Sequence, residues 1–373
     1  MNNLFAPGLI NKVVKYPSIN NLITRSDGFV KKELSTFKLD IMGLCGFGCR
    51  YCSSNSGLGI KFRKNTFENA CNDQLGRVIS PHDDPSLTYE YFDLLPNLER
   101  QLKKKPKKWG AGQTLVFSEL TDAFSPNLVN KGITKYVLKQ VLDRTSFRVR
   151  VLTKNACVGT DEWVKFFDKY WDRITVGLST GNIDDNWTKK VELGTSLPSE
   201  RFTAIQNLQD AGINTFGMLC PVFPDIVKEK RVGELVEMIN PGTVETIWAE
   251  PYNDRDNWNV VQSGFQPDSY LFNWFENEYK KKLGIWSEYA TDLYCQLYEH
   301  AEKNGWSTKL KYLLYESKIN ENDSNKFRGL IGVLPQNKPG DDGFSKNRYI
   351  AKLQKETNIP NFTGEVKMLN TRN

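Results

Sequence analysis

Three of the chain's seven cysteines, Cys45, Cys49 and Cys52, fall within eight residues of the stretch IMGLCGFGCRYCSSNSG, 41–57. Thiols at x3 and x2 spacing are arranged to take up metal. A structural zinc site wants four ligands, usually in two well-separated pairs. No second CxxC exists here; Cys71, Cys157, Cys220 and Cys295 stand alone, and His82 and His300 are the only histidines. A four-cysteine electron-transfer cluster meets the same shortage. Three thiolates on a 4Fe–4S cluster with one iron left open match the count, and the open iron leaves room for a chelating small molecule. Gly43, Gly46 and Gly48 suit the close backbone wrap of such a loop. Zinc in a non-catalytic nucleic-acid-binding protein stays as the alternative.

The rest of the composition fits a globular chain. Its 373 residues can bury a substantial core, with 39% hydrophobic and 25% charged residues. No apolar run approaches the roughly eighteen residues of a membrane span, and the N-terminal stretch lacks a secretory apolar segment, so a cytoplasmic, non-membrane protein is expected. Crowded cysteines in such a chain point to metal or redox chemistry, not to a disulfide framework. Net charge is +6, which tolerates an anionic partner without demanding one.

The cysteine loop has to be positioned by something, and the flanking sequence supplies it. Short β-branched runs at 36–41, 113–117, 147–152, 173–178, 214–219 and 243–249 alternate with amphipathic segments at 128–143, 161–171, 198–212 and 226–239. In 198–212, Phe202, Ile205, Leu208 and Ala211 recur at helical spacing. Strands alternating with helices imply parallel pairing through right-handed crossovers, as an open sheet or a partly closed barrel. Functional groups then collect at the carboxyl ends of the strands. Each run is followed by polar or reactive residues: the cysteines, then SELTD, TKN, STGN, CPVFPD and EPYNDR.

Outside the repeat, residues 58–112 read as an insertion with a helix near 89–105 interrupted by Pro96. An amphipathic helix is expected near 287–303, with Ile285, Tyr289, Leu293, Leu297 and Ala301 on one stripe. The segment from Ile319 onward, rich in Asn, Gly, Lys and Pro, reads as a flexible tail.

C-x3-C-x2-C with Tyr51 before the last cysteine, placed after the first strand of a repeated β/α unit, resembles the radical S-adenosylmethionine (SAM) superfamily. The resemblance spans about 36–255 and is closest to the spore photoproduct lyase group, whose E-x-G-T-S…E-R segment is similar to VELGTSLPSERF (191–202). It implies an α/β fold built on a partial (β/α)6 barrel at 36–255, an N-terminal extension at 1–35, and a C-terminal helical extension with an irregular tail at 256–373. It implies that Cys45, Cys49 and Cys52 hold a 4Fe–4S cluster whose open iron chelates SAM, and that reductive cleavage yields a 5′-deoxyadenosyl radical that takes hydrogen from a substrate. Tyr51 would pack by the adenine or the cluster. Thr121 and Asp122 would lie near the methionine end, with Ser118 close by, and Lys154 would reach the SAM carboxylate. Ser179 and Asn182 would touch the ribose, while Glu192 and Arg201 form an ion pair or contact SAM. A flavodoxin or ferredoxin would donate the electron.

Two departures bear on the substrate. The lyase's hydrogen-returning cysteine has no counterpart in FSELTDAFSP, where that place falls close to Glu119, and Ser53 stands where the lyase has a tyrosine. Cys220, at the end of the fifth strand, is the candidate replacement donor. Repair of thymine photoproducts is thus one alternative among substrates that include nucleic acids, nucleotides and peptides. Glu250, Asn253 and Arg255 either face the substrate or close the barrel mouth as a network. The aromatics Trp248, Tyr252, Tyr270, Phe272, Trp274, Phe275 and Tyr279 either stack bases or pack a core.

Overall fold

A computed structural model describes residues 12–118, 120–327 and 331–336. Glu119 and the tail beyond residue 336 lie outside the described residues. Twelve strands are formed among those described: β1 (Lys12–Tyr16), β2 (Ile23–Arg25), β3 (Phe37–Leu39), β4 (Met42–Leu44), β5 (Leu87–Tyr91), β6 (Thr114–Phe117), β7 (Arg148–Thr153), β8 (Ile174–Leu178), β9 (Gly217–Val222), β10 (Ile247–Pro251), β11 (Leu310–Leu314) and β12 (Val333–Pro335).

β3, β6, β7 and β8 pair in parallel, and β2 adds antiparallel at the β3 edge. A second parallel sheet runs β12-β11-β10-β9. Parallel bridges Val176↔Thr215 and Ser179↔Met218 tie β8 to β9, so one sheet continues the other. All six predicted strands are present, the fifth displaced a few residues toward Val222. Two more parallel strands, β11 and β12, follow from beyond Arg255, where only helix and tail were expected. Both are short, and β12 sits among Asn, Gly and Pro residues that mask its pattern. The alternation of parallel strands and helices is as expected; no closed barrel forms among the described residues, because β2 and β12 are left as outer strands.

Side chains alternate across a strand, so one face of this arc must find its own core. Val116, Met218, Trp248, Leu313 and Leu334, from β6, β9, β10, β11 and β12, meet there with Leu34 and Phe216. Leu34 belongs to the N-terminal segment, which is embedded against this face. Trp248 donates from Nε1 to Lys32 O (2.8 Å), and Arg150 donates from Nη1 to Leu34 O. The opposite face carries the helices, including Ile133–Arg144, Asp161–Asp168 and Pro198–Asp210. Pro198 begins the last of these, where its missing N–H costs nothing, and Glu200 accepts from Leu197 N at 2.7 Å. Phe202, Ile205 and Leu208 are buried as the spacing predicts, while Ala211 already lies past the last turn.

The 58–112 insertion differs from its expected form. Its 87–91 part is strand β5, paired parallel with β1 and antiparallel with β4 in a separate three-stranded sheet. The helix starts later, at Leu94–Lys103, and Pro96 does not interrupt it because it lies in the first turn, whose N–H groups have no intrahelical acceptor. The C-terminal amphipathic helix runs Trp286–Lys303 and buries Tyr289, Leu293, Leu297 and Ala301.

Candidate functional site

The cysteine loop follows β4 and is held from two sides. On one, Gly194 N donates to Phe47 O (2.8 Å), Arg50 N donates to Val191 O (2.9 Å), and Cys49 bridges to Glu192. The E-x-G-T-S segment is thereby zipped onto the loop. On the other side packs the insertion loop around Pro81. Gly48 has φ +59°, and Pro81 O occupies the space a side chain would need, so only glycine fits there.

Cys45 and Cys49 are buried and Cys52 is half-buried; all are free thiols. Burial, with the charge of Cys52 and Asp122 nearby, pushes the Cys45 thiol up to about 12. Burial and then Glu192 push Cys49 well above the usual thiol range, and burial raises Cys52. Among the described residues, no three His, Cys, Asp or Glu side chains converge on a single-ion site. Three neighbouring free thiols, two of them buried, fit an iron–sulfur cluster: metal would deprotonate them although burial holds them protonated.

Beside the loop lies a buried polar network centred on Glu192, which is 4% exposed. Arg201 Nη2 and Tyr51 OH both donate to its carboxylate, and Lys154 Nζ lies 3.1 Å from Oε1. Burial alone would raise Glu192, but Arg201 and Lys154 outweigh it and hold the carboxyl down to about 2. Arg201 also donates to Ser196 O, Ser179 O and Thr195 Oγ1 at 2.8, 2.8 and 2.6 Å. Every arm of this guanidinium is committed to protein. Lys154 donates to Ser179 Oγ (2.9 Å) and lies 5.6 Å from the Tyr51 ring centre. Two of its three donors are thus used and one remains. Ser179 Oγ donates to Cys220 O (2.9 Å), which leaves it able only to accept.

The other predicted positions divide. Ser118, at the end of β6, is buried, and among the described residues its hydroxyl meets no partner. Asp122 is a structural clamp: its carboxylate accepts from Lys154 N (2.7 Å), Thr153 Oγ1 (2.8 Å) and Phe124 N (2.9 Å). That leaves little of it for a ligand, and burial raises its pKa. Thr121 donates to Asp40 Oδ1 at 3.3 Å. Asn182 Oδ1 accepts from Asp184 N (2.9 Å), the residue that caps the next helix, and its Nδ2 donates to Asp225 Oδ2 at 3.4 Å.

A second network closes the carboxyl ends of β9, β10 and β11. Glu250 Oε2 lies 3.1 Å from Lys32 Nζ and accepts from Cys220 Sγ at 3.4 Å. Its other oxygen accepts from Tyr315 OH and lies 3.5 Å from Arg255 Nη2. Burial opposes ionisation, yet Lys32 and Arg255 hold Glu250 down to about 2. Burial and Glu250 push the Cys220 thiol well up. Lys32 and Tyr315 escape sequence reading because they come from the N-terminal segment and from past the last predicted strand. Asp40 was within reach of the strand-end rule. Asn253 accepts from Lys318 Nζ. Trp248, Tyr252, Trp274 and Phe275 are buried in the core and cannot present faces to bases, whereas Tyr270 is 37% exposed.

Residues 39–238, more than half of the chain, match the family model of the radical SAM superfamily. Over 127 residues the chain is 28% identical to the uncharacterized protein MJ0683 of Methanocaldococcus jannaschii, covering 34% of this chain and 47% of that one. It therefore spans about half the length of that curated relative. Among solved structures it is similar to a variant of spore photoproduct lyase, at 13% identity and a TM-score of 0.43, over 81% of this chain and 86% of that one. It is also similar to native anSMEcpe with bound AdoMet, at 11% identity and a TM-score of 0.33, over 65% and 60% of the two chains. No described helix is long and apolar enough to cross a membrane.

Proposed function

The chain belongs to the radical SAM superfamily, and from that premise we propose that it is an enzyme that takes hydrogen from a substrate at the Cys45–Cys49–Cys52 loop. Those cysteines would hold the 4Fe–4S cluster, which together with SAM supplies one-electron C–S cleavage and a 5′-deoxyadenosyl radical. The observation that carries the reading is the trio of free thiols, Cys45 and Cys49 buried and Cys52 half-buried, beside a committed Lys154–Glu192–Arg201 network.

This chain's own residues divide the work. The spare Lys154 donor is placed for the SAM carboxylate, and the unpartnered Ser118 hydroxyl for its amino group. Ser179 accepts from a ribose hydroxyl. Tyr51, locked to Glu192, walls the loop with Phe223 (ring centres 5.9 Å apart) and keeps water out. Glu192, Arg201, Asp122 and Asn182 position these groups and do not touch ligand. Cys220, held as a thiol against Glu250, is the hydrogen donor to the substrate radical. A flavodoxin or ferredoxin would supply the electron.

Photoproduct repair in DNA is the weaker reading, since neither the relay cysteine nor the tyrosine at Ser53 is present. The zinc-protein reading lacks a fourth ligand. The test is anaerobic reconstitution followed by SAM and dithionite, with 5′-deoxyadenosine as the readout and Cys49→Ala as control. Formation by the wild type alone supports the proposal. Zinc in place of iron in the purified protein would sink it.

A further inference from the structure

Arg255 belongs to the Glu250 network, and only one corner of its guanidinium, Nη2, is used there. Its backbone is fixed to the cysteine loop: its carbonyl accepts from Leu58 N at 2.8 Å. Gly57 makes that approach possible, because a Cβ there would collide with the same oxygen. Two residues on, Asn257 Nδ2 donates to Ser56 Oγ (2.8 Å) and Arg50 O (3.2 Å). The side chain donates from Nη2 to Tyr315 OH at 2.8 Å, with Glu250 farther at 3.5 Å. Among the described residues Nε and Nη1 meet no acceptor, although the side chain is only 38% exposed. A guanidinium pinned at one corner, with its remaining donors unmade, is a preorganised fork for an oxyanion.

Lys318 supplies a second cation. Its Nζ donates to Asn253 Oδ1, lies 5.2 Å over the Trp286 ring, and makes no ion pair among the described residues. The acidic groups nearby, Asp254 and Glu278, attract Lys318 without forming an ion pair with it. Asp254 accepts from Asn257 N and Trp258 N at 2.9 Å each, and Glu278 accepts from Trp286 N at 2.9 Å.

We propose that Arg255, assisted by Lys318, is the subsite for an oxyanion carried by the substrate, a phosphate or a carboxylate. This rests on the reading that the reaction occurs at the neighbouring cysteine loop, but its binding test needs neither cluster nor SAM. Inorganic pyrophosphate and succinate are titrated into the full-length protein at constant ionic strength in chloride, followed by calorimetry and by the fluorescence change lost in Trp286→Phe. Saturable binding is expected, weakened about tenfold or more in Arg255→Ala, as for a charge-assisted hydrogen bond, and less in Lys318→Ala. Arg255→Lys keeps the charge and loses the fork, so it carries the test if the alanine variant fails to fold. Preference for pyrophosphate assigns a phosphate-bearing substrate; preference for succinate assigns a carboxylate. Binding no tighter than chloride, or equal affinity in wild type and Arg255→Lys and Arg255→Ala, overturns the subsite. Loss of anion binding with intact 5′-deoxyadenosine formation condemns the subsite alone; the reverse condemns the radical reading alone.

Discussion

Arg201 and Lys154 hold opposite oxygens of the same buried carboxylate, that of Glu192, and they do so with unequal exposure. Arg201 is 1% exposed and Lys154 14%. The arginine is therefore part of the frame, and the lysine is the member that can turn toward a ligand.

That asymmetry separates their variants. Arg201→Ala leaves a buried carboxylate short of its main partner and removes hydrogen bonds to Ser179 and Ser196, at a cost of about 3–5 kcal/mol in denaturant unfolding. Lys154→Ala leaves the Arg201–Glu192 pair in place and should cost clearly less stability. Its effect is expected in SAM affinity, about tenfold or more by equilibrium dialysis. Wild-type affinity in Lys154→Ala would reduce the lysine to a structural role.

Both buried glutamates make stability pH-dependent in the same sense. Glu192 and Glu250 are each lowered from an ordinary 4.5 to about 2 in the folded chain. A lowered carboxyl contributes stability that is fully present above its unfolded pKa and is lost as pH falls through the folded value. Unfolding free energy should hold near neutrality and drop between about pH 4.5 and 2. In Glu250→Gln the drop should be shallower, with a lower plateau at neutral pH because Lys32 is left buried without its anion. Denaturation midpoints measured across that range decide it.

What the sequence could reveal was local. The thiol spacing, the strand-end polar groups and the Glu192–Arg201 pair, nine residues apart, are visible because the chain itself brings them near. Lys32 and Glu250 are separated by 218 residues, and no periodicity announces their contact. β5 was hidden because LTYEY runs into a helix whose own apolar residues follow almost at once. The role of Asp122 is not legible in the sequence either: strand-end carboxylates can serve the backbone as well as a ligand, and the donors around this one, Lys154 N, Thr153 Oγ1 and Phe124 N, come from the fold.

The N-terminal segment tests how integral such distant contacts are. Removing residues 1–35 would delete β2, unpair the β3 edge, withdraw Leu34 from the inner core and strip Lys32 from Glu250. Loss of cooperative thermal unfolding is expected, not a trimmed but stable domain. Lys32→Met, which keeps the apolar stem, isolates the charge and should lower stability because Glu250 is left with Arg255 as its cation. A truncated chain that melts like the full protein would make the segment a true appendage.

Metal content is the most direct check on the cysteine loop. Cys49 is buried against Glu192 and its backbone is bridged to the same residue, so Cys49→Ala changes little packing beyond one sulfur. The variant should fold with a near-native circular dichroism spectrum and lose the cluster's iron and visible absorption. Cys157→Ala, a buried thiol on another element, should retain both. Equal iron in the two variants would detach the cluster from this loop.

Cys220 carries the last prediction. Its Sγ donates to Glu250 Oε2, and burial beside that carboxylate disfavours the thiolate, so the sulfur keeps its hydrogen at neutral pH. Returning a hydrogen atom breaks S–H, forms C–H on the substrate radical and leaves a sulfur radical, which one electron from the electron donor and one proton from solvent restore to the thiol. Cys220→Ala should therefore still produce 5′-deoxyadenosine while product yield collapses and substrate-derived by-products accumulate. Glu250→Gln should leave hydrogen transfer possible but less well oriented, giving an intermediate yield. In deuterated buffer the wild type should place solvent deuterium in the product, because a thiol exchanges its proton, and Cys220→Ala should not. Full product yield from Cys220→Ala would rule the donor out.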